Sequence, residues 1–360
     1  MSMLAQAPGK AVLIGEYAVT DGGAALSLAV DRHARVRLSA CGHGGCRISA
    51  PELGLSSVAF TIDPDSGVLW DRRAAGFERL QRTAGLISHR VLELQQAGFE
   101  LEPFRLDIDT RALYLSHDAR LIKLGLGSSS AVAVAVDAAI GGHAGQAAED
   151  ADQALARLLP PYRHGQGGEG SGIDLATSLY GGLIEFRPTA SGAEVRPLDL
   201  PANLELRFAW TGAPASTPAL LARYRAWSRE TPRKARQWQL AAAQIVADAR
   251  AAIQAGDAAS LVACLGEYGD RMGTMGDWMG VNLLDGQHAA IMEQAERLGL
   301  AAKPSGAGVG DLALIAGTEP DRMLDMSRWL AQRGIPELVM QVDRNGVRLE
   351  RSESGGDSGR

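Results

Sequence analysis

The stretch from residue 123 to residue 140 constrains this chain more than any other. Lys123 leads into Gly125-Leu-Gly-Ser-Ser-Ser130, and that loop runs straight into Ala131-Val-Ala-Val-Ala-Val-Asp-Ala-Ala-Ile140. Glycine permits close backbone approach, serine is a good N-cap and alanine favours helix, so the stretch reads as a tight loop opening a buried helix. The start of a helix exposes N–H groups and the positive end of a dipole. With glycines and hydroxyls in front of it, such a start is a cradle for a nucleotide polyphosphate. It is not a P-loop, because no Gly-Lys-Ser/Thr follows at the required spacing.

Composition narrows the partners. A 360-residue chain with 46% hydrophobic residues can bury a large core in two lobes. Its formal charge of −6 argues against nucleic acid as a partner, since backbone binding relies on clustered Lys and Arg. An anionic small-molecule substrate must then be held locally. No run of about 18 apolar residues is present and the first ten residues lack the charged and apolar regions of a signal peptide, so we expect a cytoplasmic protein with no membrane partner. Three cysteines, Cys41, Cys46 and Cys264, fit a reducing compartment better than a disulfide framework. Cys41-Gly-His-Gly-Gly-Cys46 lacks an evident fourth zinc ligand and reads as a hairpin tip.

Periodicity supplies the elements. Short apolar runs separated by glycine turns before residue 40, and the alternation at Phe104–Asp109, read as strands. Residues 74 to 97 place Phe77, Leu80, Ala84, Ile87, Val91 and Leu94 at helical spacing. Thr217-Pro218 and Thr231-Pro232 read as caps followed by proline at the first helical position, and helical periodicity continues to about residue 299. Leu312–Ala316 reads as a strand, Asp321–Arg333 as a helix, and the polar residues 352–360 as a disordered tail. The expectation is an α+β, two-lobed chain, with an N-terminal domain over 1–195 and a C-terminal domain over 196–351.

Two further glycine clusters compete with the first. Gly165-Gln-Gly-Gly-Glu-Gly170 matches the dinucleotide fingerprint in form, but it follows Pro160-Pro161-Tyr-Arg-His164 rather than a strand. Lys303-Pro-Ser-Gly-Ala-Gly-Val-Gly310 precedes an apolar strand and can turn backbone N–H groups toward an anion. Taken alone it is an ordinary tight turn.

Three ordered segments together resemble the GHMP kinase superfamily. They are Ala7-Pro-Gly-Lys-Ala-Val-Leu-Ile-Gly-Glu-Tyr-Ala-Val19, Lys123-Leu-Gly-Leu-Gly-Ser-Ser-Ser-Ala131 and Lys303-Pro-Ser-Gly-Ala-Gly308. Within the superfamily, Gly15-Glu-Tyr17, Ser171-Gly-Ile-Asp174 with the residues after it, and Trp210-Thr-Gly-Ala-Pro-Ala-Ser-Thr217 resemble phosphomevalonate kinases. Mevalonate kinases usually carry His in place of Tyr17. The third segment departs from its common form, with Val309 for Gly and Leu312 for Cys.

The resemblance implies a GHMP kinase fold, with a ribosomal-protein-S5-like N-terminal lobe and a ferredoxin-like, helix-rich C-terminal lobe. It also implies ATP and Mg2+ between the lobes, and transfer of phosphate to 5-phosphomevalonate. Lys10 and Asp174 would be the catalytic pair, with Asp174 accepting the acceptor's proton or orienting its oxygen and pairing with Lys10. Lys123, Gly125, Leu126, Gly127, Ser128, Ser129 and Ser130 would bind the nucleotide, with Ser129 on magnesium. Tyr17, His164, Ser171, Gly172, Ser216, Thr217, Ser305, Gly306 and Ala307 would surround the acceptor. Mevalonate kinases carry a magnesium-binding Glu upstream of the catalytic Asp; spacing puts Arg163 there, and Glu169 is the nearest acid. Each residue also has a plainer reading: a solvated lysine, an N-cap aspartate, helix-capping serines, a core tyrosine, a surface histidine. The alternatives are mevalonate kinase, a sugar or amino-alcohol kinase, an ATP-dependent decarboxylase, and a silent regulator. The chain would act as a monomer or homodimer.

Overall fold

The computed structural model describes residues 2–42, 45–117, 120–168, 170–214 and 216–352. Strands β1 (Ser2–Ile14) and β2 (Ala25–Ala40) form a long antiparallel pair, with register shifts between Pro8 and Gly9 and between Val12 and Ile14. The apolar runs Ala24–Val30 and Ala34–Leu38, which read as short separate strands, thus fall almost wholly within one strand. β2 also pairs with β6 (Phe104–Asp109) and β9 (Leu183–Thr189). The sheet continues through β3 (Cys46–Ala50), β4 (Leu55–Asp63) and β5 (Gly67–Trp70), while β7 (Tyr114–His117) and β8 (Arg120–Lys123) form a separate hairpin.

β10 (Gly192–Leu198) closes one edge of the large sheet, so residue 195 falls inside a strand still paired with β9. Strand β11 (Glu205–Trp210) begins the second sheet, of order β12-β13-β11-β14, with β12 (Ala301–Pro304), β13 (Leu312–Gly317) and β14 (Glu337–Leu338). The chain then returns: β15 (Arg348–Ser352) pairs with β1, and residues 353–360 of the expected tail lie outside the described residues.

Helices α1 (Phe77–Gln96), α2 (Ser128–His143), α3 (Ala151–Gly165) and α4 (Ile173–Tyr180) belong to the first sheet's lobe, where α2 and α4 pack on β1 and β2. α1 buries the stripe read from its periodicity. α2 is apolar on nearly every face and is buried on nearly every face. The second lobe carries α5 (Thr217–Glu230), α6 (Pro232–Ala255), α7 (Ala258–Met279), α8 (Gly286–Arg297) and α9 (Pro320–Gln332), with α7 lying against both β12 and β1. Trp210, Trp227, Trp238 and Trp278 pack inward, the first three being buried and Trp278 half-buried.

Two local expectations change. The serines of the phosphate loop do not cap α2: Gly127, in the left-handed region at φ 69°, is the cap, and the Ser130 hydroxyl donates back to its carbonyl at 2.6 Å. Glycine adopts that conformation without strain, and the serines become the first helical turn. His164 is not in a loop, because α3 continues through Pro160 and Pro161 to Gly165. Interior proline costs roughly 3 kcal/mol. Here the capping box of Asp150 and Gln153 and the burial of Leu155, Leu158, Leu159 and Tyr162 offset that cost.

Candidate active site

The register shift beside Pro8 is where the cleft is built. It bends β1 so that Gly9 lies against the phosphate loop, where a Cβ would stand 2.8 Å from the Leu126 carbonyl oxygen. The Lys10 amide donates to that same carbonyl at 2.9 Å. Leu126 therefore serves through its backbone while its side chain is buried. The Lys10 stem then runs past Gly127, where a Cβ would sit 3.0 Å from Lys10 Cγ and 3.0 Å from Ser130 Oγ. Any side chain at that position would push the lysine away from the helix start.

Asp174 reaches the same cleft from the first turn of α4. Ser178, one turn later, donates its hydroxyl to the Pro8 carbonyl at 2.8 Å, which fixes α4 against the strand bearing Lys10. Lys10 and Asp174 line one cavity of about 180 Å³, together with Tyr17, Ser171, Thr217 and Gly306. One Asp174 carboxylate oxygen accepts the Leu175 amide at 3.0 Å and the other accepts the Tyr162 hydroxyl at 2.7 Å. Burial, followed by the neighbouring Asp174 charge, pushes the Tyr162 phenol well above its usual range, so it stays a proton donor. Its hydroxyl is also 3.5 Å from Ser129 Oγ, linking the aspartate to the phosphate loop.

Nothing in the sequence pointed to Tyr162, which sits behind two prolines in what reads as a loop. Tyr162→Phe should lower kcat about tenfold, the worth of one hydrogen bond to a charged group, with little change in the KM for nucleotide. Steady-state kinetics checks this, and an unchanged kcat would mean that Leu175 alone orients Asp174.

The other expected residues divide. Ala307 also lines the cavity, and Tyr17 donates its hydroxyl to the Ala307 carbonyl at 2.5 Å. Tyr17 holds φ 62°, an uncommon conformation for an aromatic residue, so the third segment's grip maintains a strained position. Ser305 is buried outside the cavity lining and donates to the Val12 carbonyl at 3.0 Å. Gly172 caps α4 from behind, Ser216 caps α5, and neither lines the cavity. His164 is exposed on the last turn of α3, outside the cavity lining. Val309, where the common form of the motif has glycine, stands at φ 64°, and Asp311 at φ 58°. The departure thus keeps the glycine-like backbone at the cost of strain.

Nucleotide and metal can be weighed against these residues. The first turn of α2 has no side-chain cap, so its leading N–H groups are open to an external acceptor such as an anion. The exposed hydroxyl of Ser129 is on that turn. Lys123 lies at the loop's entrance, and desolvation lowers its ammonium pKa, with Arg82 and Lys10 adding repulsion while Asp311 opposes it. Among the described residues no cluster of three metal-ligating side chains occurs, and Glu169 lies outside them. Mg2+ usually keeps several waters and binds through one or two carboxylates plus substrate phosphates, so the Ser129 hydroxyl would add at most one ligand to an ion that a nucleotide brings with it. Around Cys41–Cys46, both cysteines are free thiols and His43 lies outside the described residues.

The architecture and this cleft are those of a small-molecule kinase, and comparison with known proteins agrees. Residues 85–182 match the GHMP kinases N terminal domain. The chain is 31% identical over 354 residues to a phosphomevalonate kinase of Streptomyces sp. (strain CL190), covering 87% of this chain and 89% of that one. It is 24% identical over 360 residues to a mevalonate kinase of Thermococcus gammatolerans, covering 97% and 99%. The solved structure of Streptococcus pneumoniae phosphomevalonate kinase superposes with a TM-score of 0.74 at 18% identity, over 95% of this chain and 100% of that one. The chain belongs to the GHMP kinase family. It is a phosphotransferase of the α+β fold expected from its three glycine segments.

Proposed function

We propose that this kinase acts in the mevalonate pathway and transfers the γ-phosphate of ATP to 5-phosphomevalonate, giving 5-diphosphomevalonate and ADP. The observation that carries the choice of acceptor is the basic extension of the cleft. A second cavity of about 580 Å³ shares Val19, Thr20, Gly170 and Ser171 with the first, and Arg163 and Arg225 are among the residues that line it. Arg163 is held in its wall by the carbonyls of Gly170, at 3.1 Å, and Ser171, at 2.7 Å. It occupies the position where spacing puts the acidic magnesium ligand of mevalonate kinases, so the sign of the charge is reversed there. An acceptor carrying a phosphate and a carboxylate needs more positive charge and more length than one carrying a carboxylate alone. Lys10, Arg163 and Arg225 supply the charge, and the joined cavities supply the length. Identity of 31% to a phosphomevalonate kinase, against 24% to a mevalonate kinase, points the same way.

The acceptor's phosphate lies beside Lys10 and its carboxylate end extends toward the arginines. A bond forms between an acceptor phosphate oxygen and the γ-phosphorus while the bond to ADP breaks. ATP brings the transferable phosphoryl group and Mg2+ screens its charge. The start of α2 cradles the polyphosphate, Lys10 stabilises charge on the transferring oxygens, and Asp174, which lines the same cavity as Lys10, orients the attacking oxygen. A phosphate monoester has its second pKa near 6, so at neutral pH the attacking oxygen needs no base.

The test is turnover with ATP and Mg2+ against mevalonate, 5-phosphomevalonate, mevalonate diphosphate and common sugars. Turnover of 5-phosphomevalonate is expected, and Arg163→Ala or Arg225→Ala should raise its KM about tenfold or more while leaving the KM for ATP unchanged. Turnover of mevalonate alone overturns the acceptor assignment and leaves the kinase standing. Release of carbon dioxide from mevalonate diphosphate would make the protein a decarboxylase.

A further inference from the structure

We propose that Glu16, buried in an ion pair with Lys303, is a positioning residue for phosphoryl transfer whose side-chain oxygen seats the Gly306–Ala307 backbone of the third segment against the strand that carries Lys10. Lys303 Nζ lies 2.5 Å from Glu16 Oε1 and 2.6 Å from the Pro304 carbonyl oxygen, and the lysine is fully buried. The Gly306 amide donates to the same Oε1 at 3.3 Å. Tyr268 donates its hydroxyl to the Glu16 carbonyl at 2.6 Å, and its ring centroid lies 5.9 Å from Lys303 Nζ. Glu16 comes from the turn after β1 and Lys303 from β12, so the pair joins the two lobes.

Stability alone does not account for this arrangement. A buried ion pair is often no better than apolar residues of the same volume. This one also leaves Glu16 Oε2 buried without a hydrogen-bond partner among the described residues, which is a cost. What the pair does achieve is registration. Three contacts in series clamp the third segment onto the first: the Ser305 hydroxyl on the Val12 carbonyl, the Gly306 amide on Glu16, and the Tyr17 hydroxyl on the Ala307 carbonyl. Gly306 and Ala307 line the same reaction cavity as Asp174, and Glu16 holds both a backbone amide of that loop and a lysine of its parent strand. Sub-ångström placement of groups around a transferring phosphate is what such a clamp controls. The inference rests on the family's kinase chemistry and not on the identity of the acceptor.

The test compares two double variants, assayed with whichever acceptor the panel shows to be turned over. Glu16→Leu/Lys303→Met replaces the pair with apolar side chains and removes the anchor of the Gly306 amide. Its melting temperature should stay near that of the parent while kcat falls about 10- to 100-fold and nucleotide Kd barely moves. Glu16→Gln/Lys303→Met keeps an oxygen for Gly306, and its kcat should return to within about threefold of the parent. A parental kcat in the apolar pair would show the ion pair to be structural only. An equal loss in both doubles would show that the Gly306 anchor is not the agent. Either result overturns the proposal. Where the apolar pair does not fold, Glu16→Gln and Glu16→Ala at native Lys303 make the same comparison. A kcat gap of about tenfold between them is expected, and no gap rejects the positioning role.

Discussion

Asp174→Asn is expected to lower kcat by about 10²-fold or more, with ATP affinity nearly unchanged. The substitution keeps the shape and the Leu175 and Tyr162 contacts within reach but removes the negative charge from the cavity that Lys10 lines. Kinetics and nucleotide titration give the two numbers, and unchanged turnover would remove Asp174 from the mechanism. The pH profile separates its possible roles. On a monoester acceptor whose second pKa is about 6, the acid limb belongs to the substrate and should persist in the variant. Disappearance of that limb would make Asp174 itself the titrating base.

Lys10→Met should cost a comparable factor, about 10²- to 10³-fold in kcat, because Met keeps the stem and loses only the cation that we propose stabilises the transferring oxygens. The stem's course is already fixed by the Leu126 carbonyl and the bare Gly127, so the variant should fold and melt like the parent. If the loss appears in the KM for ATP and not in kcat, Lys10 binds the ground state and is not specific to the transition state. Carried out together, the two variants also report coupling: a double variant no worse than the worse single indicates that Lys10 and Asp174 act as one unit.

Much of this cleft is legible in the sequence. Gly125–Ser130 followed by an alanine- and valine-rich run specifies a loop and a buried helix through local preferences alone, and α2 begins at Ser128. The α1 stripe and the β6 alternation are equally local. What the sequence misplaces is the detail that local preference decides weakly. Proline disfavours helix interiors, so the Pro160–His164 stretch reads as a loop, yet α3 runs through it because packing carries the helix on. The serines look like caps, but a glycine already in the left-handed region takes that position.

The loop at Gly125–Ser130 and its helix follow from backbone conformation and periodicity, properties encoded within a few residues of one another, and the three segments that carry the family resemblance are each equally local. The pairing of these segments is not. Glu16 meets Lys303 across 287 residues, Tyr17 meets Ala307 across 290, and Ser178 meets Pro8 across 170. Such contacts are selected by how two lobes pack, since a side-chain hydrogen bond adds little unless folding has already brought its partners together and excluded water. The sequence thus determined a glycine- and serine-rich loop opening a buried helix and, through the family resemblance, the choice of Lys10 and Asp174, while the tertiary structure decided that Tyr162 holds Asp174 and that Glu16 and Lys303 pair behind the cleft.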